Sequence, residues 1–502
     1  MKQEPKDLYS HVLKYTGIFG GVQGLNILVG LVRNKVIALL LGPEGMGLAS
    51  LFNTAVNFLS QATNLGIPFS AVKHISEFYD KSDQTQIEYC VKVIRVWSLL
   101  TALLGMLVCV LLGPILSDYT FGWGDHTLHF VLLAPAVGLI AITGGEIAIL
   151  KGVRQLRSLA AIQIYNAVLS ICISIPIYFF FGETGIVPVI VLSALASMLL
   201  TIKHSYHLFP PTLSYPRQML GSGWSMVRLG VAFVLAGIMG SGAEMLVRSY
   251  LNVHGGLNTL GLYNAGFMLT ISYAGMVFSS METDYFPRLS AVCDNRKAMR
   301  ETVNRQIEVS LLLVSPMLCA LIVGMPLIIP LLFTPEFQPV VGMAQVAVFS
   351  MYLKSMSLPI AFLSLAKGDS LVYFIIEAAD AILLVLLMIL GFNLWGLWGT
   401  GVALSVSYLI DIVINYLVTW FRYGYRLSLP VLQYASLQLP LGIAAYIVSA
   451  FILNPYIYWI LNLIFCFLSF IISVTVLKQK TSLWSALKKK LNSRFKSDNH
   501  EV

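Results

Sequence analysis

Fourteen apolar stretches, each long enough to cross a hydrocarbon core of about 30 Å, follow one another with only short breaks between them. They fall at 15–41, 45–68, 91–117, 127–150, 157–181, 184–206, 224–250, 259–286, 306–333, 337–366, 370–391, 394–420, 429–452 and 455–477. The breaks carry turn residues such as Gly42-Pro43, Gly113-Pro114, Pro210-Pro211, Gly255-Gly256, Gly391 and Asn454-Pro455. None is long enough to hold a soluble domain. With 57% hydrophobic and 11% charged residues, the chain is expected to be an all-α polytopic membrane protein of about 14 transmembrane helices. The first apolar run is far longer than a secretory signal core, so it is expected to remain as a span.

Orientation follows from the basic residues. With the N-terminus inside, 28 of the 32 Lys and Arg fall in inner segments or the tail, and the outer breaks hold none. That bias predicts an N-in, C-in topology. The net charge of +8 is then an orientation signal, and no nucleic-acid partner is implied. The tail, 479–502, with its run KKKLNSRFK, reads as a contact to anionic membrane lipids or as a solvated stop-transfer flank. The segments KHISEFYDKSDQTQIEY and AVCDNRKAMRETVNRQIE read as a solvated amphipathic connector and as a helix lying at the interface. The six cysteines are expected to be packing residues, since they lie in spans or on the inner side.

Four cations remain inside spans: Arg33, Lys35, Arg248 and Lys354. Each costs about 2.5–3.5 kcal/mol at a span centre unless a cavity or partner receives it. Two of them are related by an internal repeat. Leu31-Val32-Arg33 recurs as Leu246-Val247-Arg248 at an offset of 215, and Gly47-Leu48 as Gly261-Leu262 at 214. Asn26 answers Ser241, and Lys151-Gly152 answers Lys367-Gly368. These matches predict a six-helix lobe at 1–208, a second at 209–422, and a further helix pair at 423–478. Because six is even, the copies are parallel, an arrangement that places a substrate site at the repeat interface.

Helix faces point the same way. Thr16, Gly20, Gln23, Asn26, Gly30 and Arg33 form one stripe, and Gly237, Ser241, Glu244 and Arg248 another, although small-residue faces also serve plain helix packing. Glu244, one turn before Arg248, is placed to pair with it. Lys35 lies about 200° round the helix from Arg33, so it faces the cavity poorly and snorkelling remains open. Among the acids, Glu146 sits beside Gly144 and Gly145, while Glu377, Asp380 and Asp411 form an ion-coupling or hydrogen-bonding set. The chain contains no G-x-x-x-x-G-K-[ST] loop for ATP, so no cofactor is expected and an H+ or Na+ gradient is the remaining energy source.

The stretches GPEGMGLASLFNT (Gly42 to Thr54) and NLGIPFSAVKHISEFYD (Asn64 to Asp80) resemble the region around helix two in Wzx-type lipid-linked oligosaccharide flippases of the MOP transporter superfamily. That resemblance implies translocation of an undecaprenyl-diphosphate-linked oligosaccharide, of O-antigen type, from the cytoplasmic to the periplasmic leaflet by alternating access. It implies a cationic central cavity, here furnished by Arg33, Lys35, Arg248 and Lys354, with Asn26, Glu146 and Glu244 as its polar and acidic lining. It also implies a non-enzymatic single chain working beside a glycan polymerase and a chain-length regulator. A lipid II-type flippase or a drug-cation antiporter of the same superfamily is the alternative. A membrane-bound glycan enzyme is disfavoured, because the longest outer break, around SDYTFGWGDH, is too short to carry a catalytic site.

Overall fold

Three apolar segment pairs run on as single bent helices, and the bends show how the chain is organised. The computed structural model describes residues 5–121, 124–211, 218–452 and 454–480, with side chains before Gly24 and at a few later positions, among them 217–220, 228–233 and 279–284, outside the description. Thr16, Gly20 and Gln23 of the first stripe, the inner-side Lys2, Lys6, Lys14, Arg217 and Arg228, and the basic tail therefore lie beyond it.

The described backbone is helical, without strands: α1 (Pro5–Thr63), α2 (Ile67–Asp80), α3 (Gln84–Thr120), α4 (Thr127–Gly152), α5 (Leu156–Phe181), α6 (Ile186–Leu208), α7 (Gln218–Phe267), α8 (Ala274–Val292), α9 (Arg296–Leu332), α10 (Val340–Ala366), α11 (Ser370–Tyr423), α12 (Leu429–Phe451) and α13 (Pro455–Lys480). A π-helical turn, Met268–Tyr273, joins α7 to α8. Among the described residues, nine helices are long and apolar enough to span a membrane.

Gly42 breaks α1 with φ 63° and ψ −168°, and Gly256 breaks α7 with φ 77° and ψ 169°. Both lie in a backbone region open essentially to glycine alone. Pro43 then starts the second segment of α1 where no N–H is needed. The same offset of 214 relates Gly182 (φ 57°, ψ −134°) to Gly396 (φ 59°, ψ −142°), the bend within α11. It also relates the left-handed Arg154 to the left-handed Gly368. The repeat read from side chains is thus written in the backbone as well. The break expected at Gly391 lies instead at Trp395–Gly396. Gly391 serves a close approach, since a Cβ there would strike the Gly399 carbonyl.

Two compact units emerge. The first holds Met1–Met268, Leu327–Met343 and Asp369–Ser407, and the second the remainder. The first unit therefore takes in α7 together with the first six helices, so its limits do not follow the chain order of the two repeats. Within it, α1 and α7 cross at their kinks. A Cβ on Gly47 would overlap the Leu257 carbonyl, and one on the repeat-related Gly261 would overlap that of Pro43. Ser50 Oγ donates to Asn264 Oδ1 at 3.0 Å, again between repeat-related positions.

Helix α2 is more than a solvated connector. Ile67, Ala71 and Ile75 form an i, i+4, i+8 face buried against Ile87, Val91 and Ile94 of α3 and Ile149 of α4. The interface helix expected over 291–308 is also absent. Asn295 Oδ1 accepts from the amides of Lys297 and Ala298, and from there Arg296–Leu332 runs as one helix, through Pro316, Pro326 and Pro330. In the second unit, Gln345 donates to Ile322 O (2.9 Å), and Tyr352 donates to Ser315 O (3.0 Å), tying α10 to α9.

Candidate cationic cavity

A polar cavity of about 470 Å³ lies inside the first unit, walled by α1, α5, α6 and α7. Its lining includes Arg33, Asn53, Asn57, Ser170, Ser193, Glu244 and Arg248. Each arginine stands roughly two turns before the kink of its helix, so the repeat brings both guanidinium groups into one space. Arg248 is buried and held from three directions. Its Nη1 donates to Glu244 Oε2 at 2.8 Å, its Nε donates to Ser50 Oγ at 3.1 Å, and its Cζ lies 5.1 Å from the Phe267 ring centroid. Arg33 Nη1 donates to Ser170 Oγ at 2.8 Å, while its buried Nε has no hydrogen-bond partner. Two guanidinium groups therefore face one carboxylate among the described lining residues, leaving a single positive excess. That excess favours an anion, and arginine can grip a phosphate with two donors.

Arg33 also lines a second cavity, of about 320 Å³, with Asn166, Ser170, Ser193 and Ser197. The α5 side contributes Gln163, Asn166, Ser170 and Ser174, spaced three or four apart on one helical face. Asn166 Nδ2 donates to Ser197 Oγ at 3.1 Å. Asn26, one of the expected polar residues, reaches this stripe through Gln163 Oε1 at 3.5 Å and lines neither cavity. The α5 stripe escaped the sequence reading, although its spacing was there to be found.

The remaining expected residues sit elsewhere. Lys35 Nζ donates to Leu331 O (2.8 Å), at the C-terminus of α9, where a cation meets carbonyls without helical partners. Glu146 is outside the cavity, in a buried pair with Arg95 (Nε to Oε1 2.9 Å), and accepts from Ser205 Oγ at 2.5 Å. Lys354 belongs to the second unit and lies 6.0 Å from the Phe278 ring centroid. Glu377 and Asp380 are half-buried on α11 in the first unit. Asp411 belongs to the second unit, buried, and accepts from Ser357 Oγ and from Asn415 Nδ2 (2.5 Å).

The sequence model of the polysaccharide biosynthesis protein family matches residues 36–342, a stretch that contains every cavity-lining residue named except Arg33. The chain belongs to that family. Among curated relatives of this family member, the lipid III flippases of Escherichia coli (strain K12) and Shigella flexneri are each 22% identical over 280 residues. Each match covers 55% of this chain and 66% of the relative. Among solved structures, the lipid II flippase MurJ in an inward closed conformation matches with a TM-score of 0.67 at 13% identity, covering 92% of this chain and 99% of that one. A multidrug resistance MATE family transporter of the MOP superfamily, inward-facing, matches with a TM-score of 0.66 at 16% identity, covering 82% and 98%. This family member is thus a multi-pass bacterial inner-membrane protein with the fold of MOP-superfamily transporters.

Proposed function

We propose that this protein is a flippase that carries an undecaprenyl-diphosphate-linked oligosaccharide, of O-antigen type, from the cytoplasmic to the periplasmic leaflet by alternating access. One observation carries the reading: a single cavity holds two repeat-related arginines against one carboxylate. Arg33, whose Nε has no partner, offers donors to a diphosphate, and Glu244 holds Arg248 in place until the substrate displaces it. The serines and asparagines of α5 and α6 supply hydroxyl and amide groups suited to sugars. The prenyl chain stays in lipid. A drug-cation exporter would call for an excess of acid in this space, and the charge balance runs the other way.

On this reading, transport draws on a proton or sodium gradient, with Glu377, Asp380 and Asp411 as the carboxylates to test. The protein acts as a single copy, N-in and C-in, beside the glycan polymerase and chain-length regulator, with the two six-helix repeats and the terminal pair as its parts. The test is export in cells lacking the native protein, with Arg33→Ala and Arg248→Ala expressed separately. Surface glycan is expected to fall while the undecaprenyl-linked precursor accumulates at unchanged protein level. Normal export by both variants overturns the site, and normal surface glycan in cells lacking the protein altogether overturns the function.

A further inference from the structure

A cavity of about 600 Å³ lies far along the chain from the arginine pair and wholly within the second unit. It forms where the first turns of α9 meet the loop before α12 and the end of α13. Asn304 builds its floor. Its Oδ1 accepts from Tyr425 OH and the Ser428 amide, both at 3.0 Å, and its Nδ2 donates to Arg426 O at 3.0 Å. Arg300 fastens the same loop by donating to Gly424 O.

Two guanidinium groups are left over. The side chains of Arg305 and Arg426 both line the cavity, are exposed, and have no hydrogen-bond or ion-pair partner among the described residues. Below them the wall turns apolar, with Val309, Leu312, Pro430 and Leu477. A cavity with charged donors at one end and aliphatic side chains at the other, at the basic end of membrane-spanning helices, matches a lipid lying in its own leaflet. The acids in it bear on which lipid. Arg300, Arg305 and Arg426 stand against Glu301 and Glu308, leaving one net positive charge, which a headgroup with one net negative charge neutralises.

We propose that this cavity binds one anionic phosphoglyceride of the inner leaflet, its phosphate held between Arg305 and Arg426 and its acyl chains along Val309, Leu312 and Leu477. The site is independent of the transport reading, since it involves none of the residues of the arginine-pair cavity. The test is native mass spectrometry of the full chain in detergent, titrated with phosphatidylglycerol, phosphatidylethanolamine or inorganic phosphate. Phosphatidylglycerol is expected to bind as one adduct in preference to phosphatidylethanolamine. Arg305→Ala and Arg426→Ala are each expected to weaken that adduct about fivefold, and the pair together about thirtyfold. Both side chains are exposed and unpaired, so the lipid-free unfolding midpoint is expected to stay where it is, which separates lost binding from lost fold. Leu477→Trp, which fills the half-buried apolar end and leaves both arginines, is expected to weaken the phosphatidylglycerol adduct. Equal binding of the two lipids, inorganic phosphate matching the lipid, or a double variant that binds as the parent does overturns the proposal.

Discussion

The buried pair of Arg95 and Glu146 makes a prediction whose size follows from the structure. The two side chains are 10% and 4% exposed, so neither charge is screened by water. Two hydrogen bonds join them, at 2.9 and 3.4 Å, and Arg95 lies 4.2 Å from the Tyr206 ring centroid. Arg95→Met keeps most of the apolar stem and removes the guanidinium, leaving the carboxylate with the Ser205 hydroxyl as its remaining donor in the pair. Breaking one side of a buried pair costs about 3–5 kcal/mol.

Glu146→Gln leaves the guanidinium without its counter-charge and should cost about as much. Denaturant unfolding in mixed micelles, followed by loss of helical circular dichroism, reads both variants. A deficit for Arg95→Met below about 1 kcal/mol at pH 7 refutes the reasoning.

The crossing of α1 and α7 should not accept a methyl group at its tightest point: Gly261→Ala, which drives a Cβ into the Pro43 carbonyl, should lower folded yield and the unfolding midpoint far more than Gly240→Ala on the same helix, whose added Cβ meets nothing. Asn304→Leu removes the bonds to Tyr425, Ser428 and Arg426, so it should cost about 2–4 kcal/mol and raise amide exchange across the loop before α12. Cys319 and Cys466 have sulfurs 3.6 Å apart, so a mild thiol oxidant should join α9 to α13 within one chain, seen as fragments held together until reduced after cleavage between them; free thiols at both positions after treatment would contradict that packing. At the turn before α4, hydrogen bonds from the Thr127 side chain and amide hold the exposed Asp125 carboxyl below its usual range. That contribution is present above a pH of about 4 and lost as pH falls through the lowered value, so Thr127 amide exchange should quicken in acid in the parent and change less in Asp125→Asn.

Much of the helical layout was legible because a membrane span must be both long and apolar, and the bends because only certain residues permit them. Gly42-Pro43 and Gly255-Gly256 announce theirs. Gly391 misled for a physical reason: glycine marks close helix approach as well as a break, and the true bend sits at Trp395–Gly396. The arginine pair came from a repeat, a pattern visible along one line of sequence. Its surroundings did not, because Ser50, Ser170 and Asn264 are common residues whose roles depend on which helices meet. Arg95 was counted as an inner-side charge and Glu146 as a cavity acid; nothing local shows that residues 51 positions apart form one pair. Lys35 was ambiguous from its helix angle, and its partner, a backbone carbonyl of α9, carries no side-chain signal.

Repetition of sequence gives the two arginines equivalent places and unequal surroundings. Arg248 is followed round its helix by a carboxylate one turn earlier, and Ser50 fixes its Nε, so its donors are largely committed. The repeat equivalent of Glu244 in α1 is Val29 at the same offset of 215, which gives Arg33 no such partner. A perfectly symmetric cavity would either hold two bare cations, which repel each other and cost more to bury, or two neutralised pairs, which would attract an anion weakly. The asymmetric arrangement avoids both. Arg33 carries the attraction, while Arg248 waits in a pair that a substrate phosphate must compete with. Glu244→Gln frees the second guanidinium without changing the shape of the site. On the proposed function it should therefore tighten binding of an undecaprenyl diphosphate while slowing its release, so that precursor stays bound to the purified protein and export falls. If the variant binds the diphosphate no more tightly than the parent, the Glu244–Arg248 pair is structural and the division of roles between the two arginines is wrong.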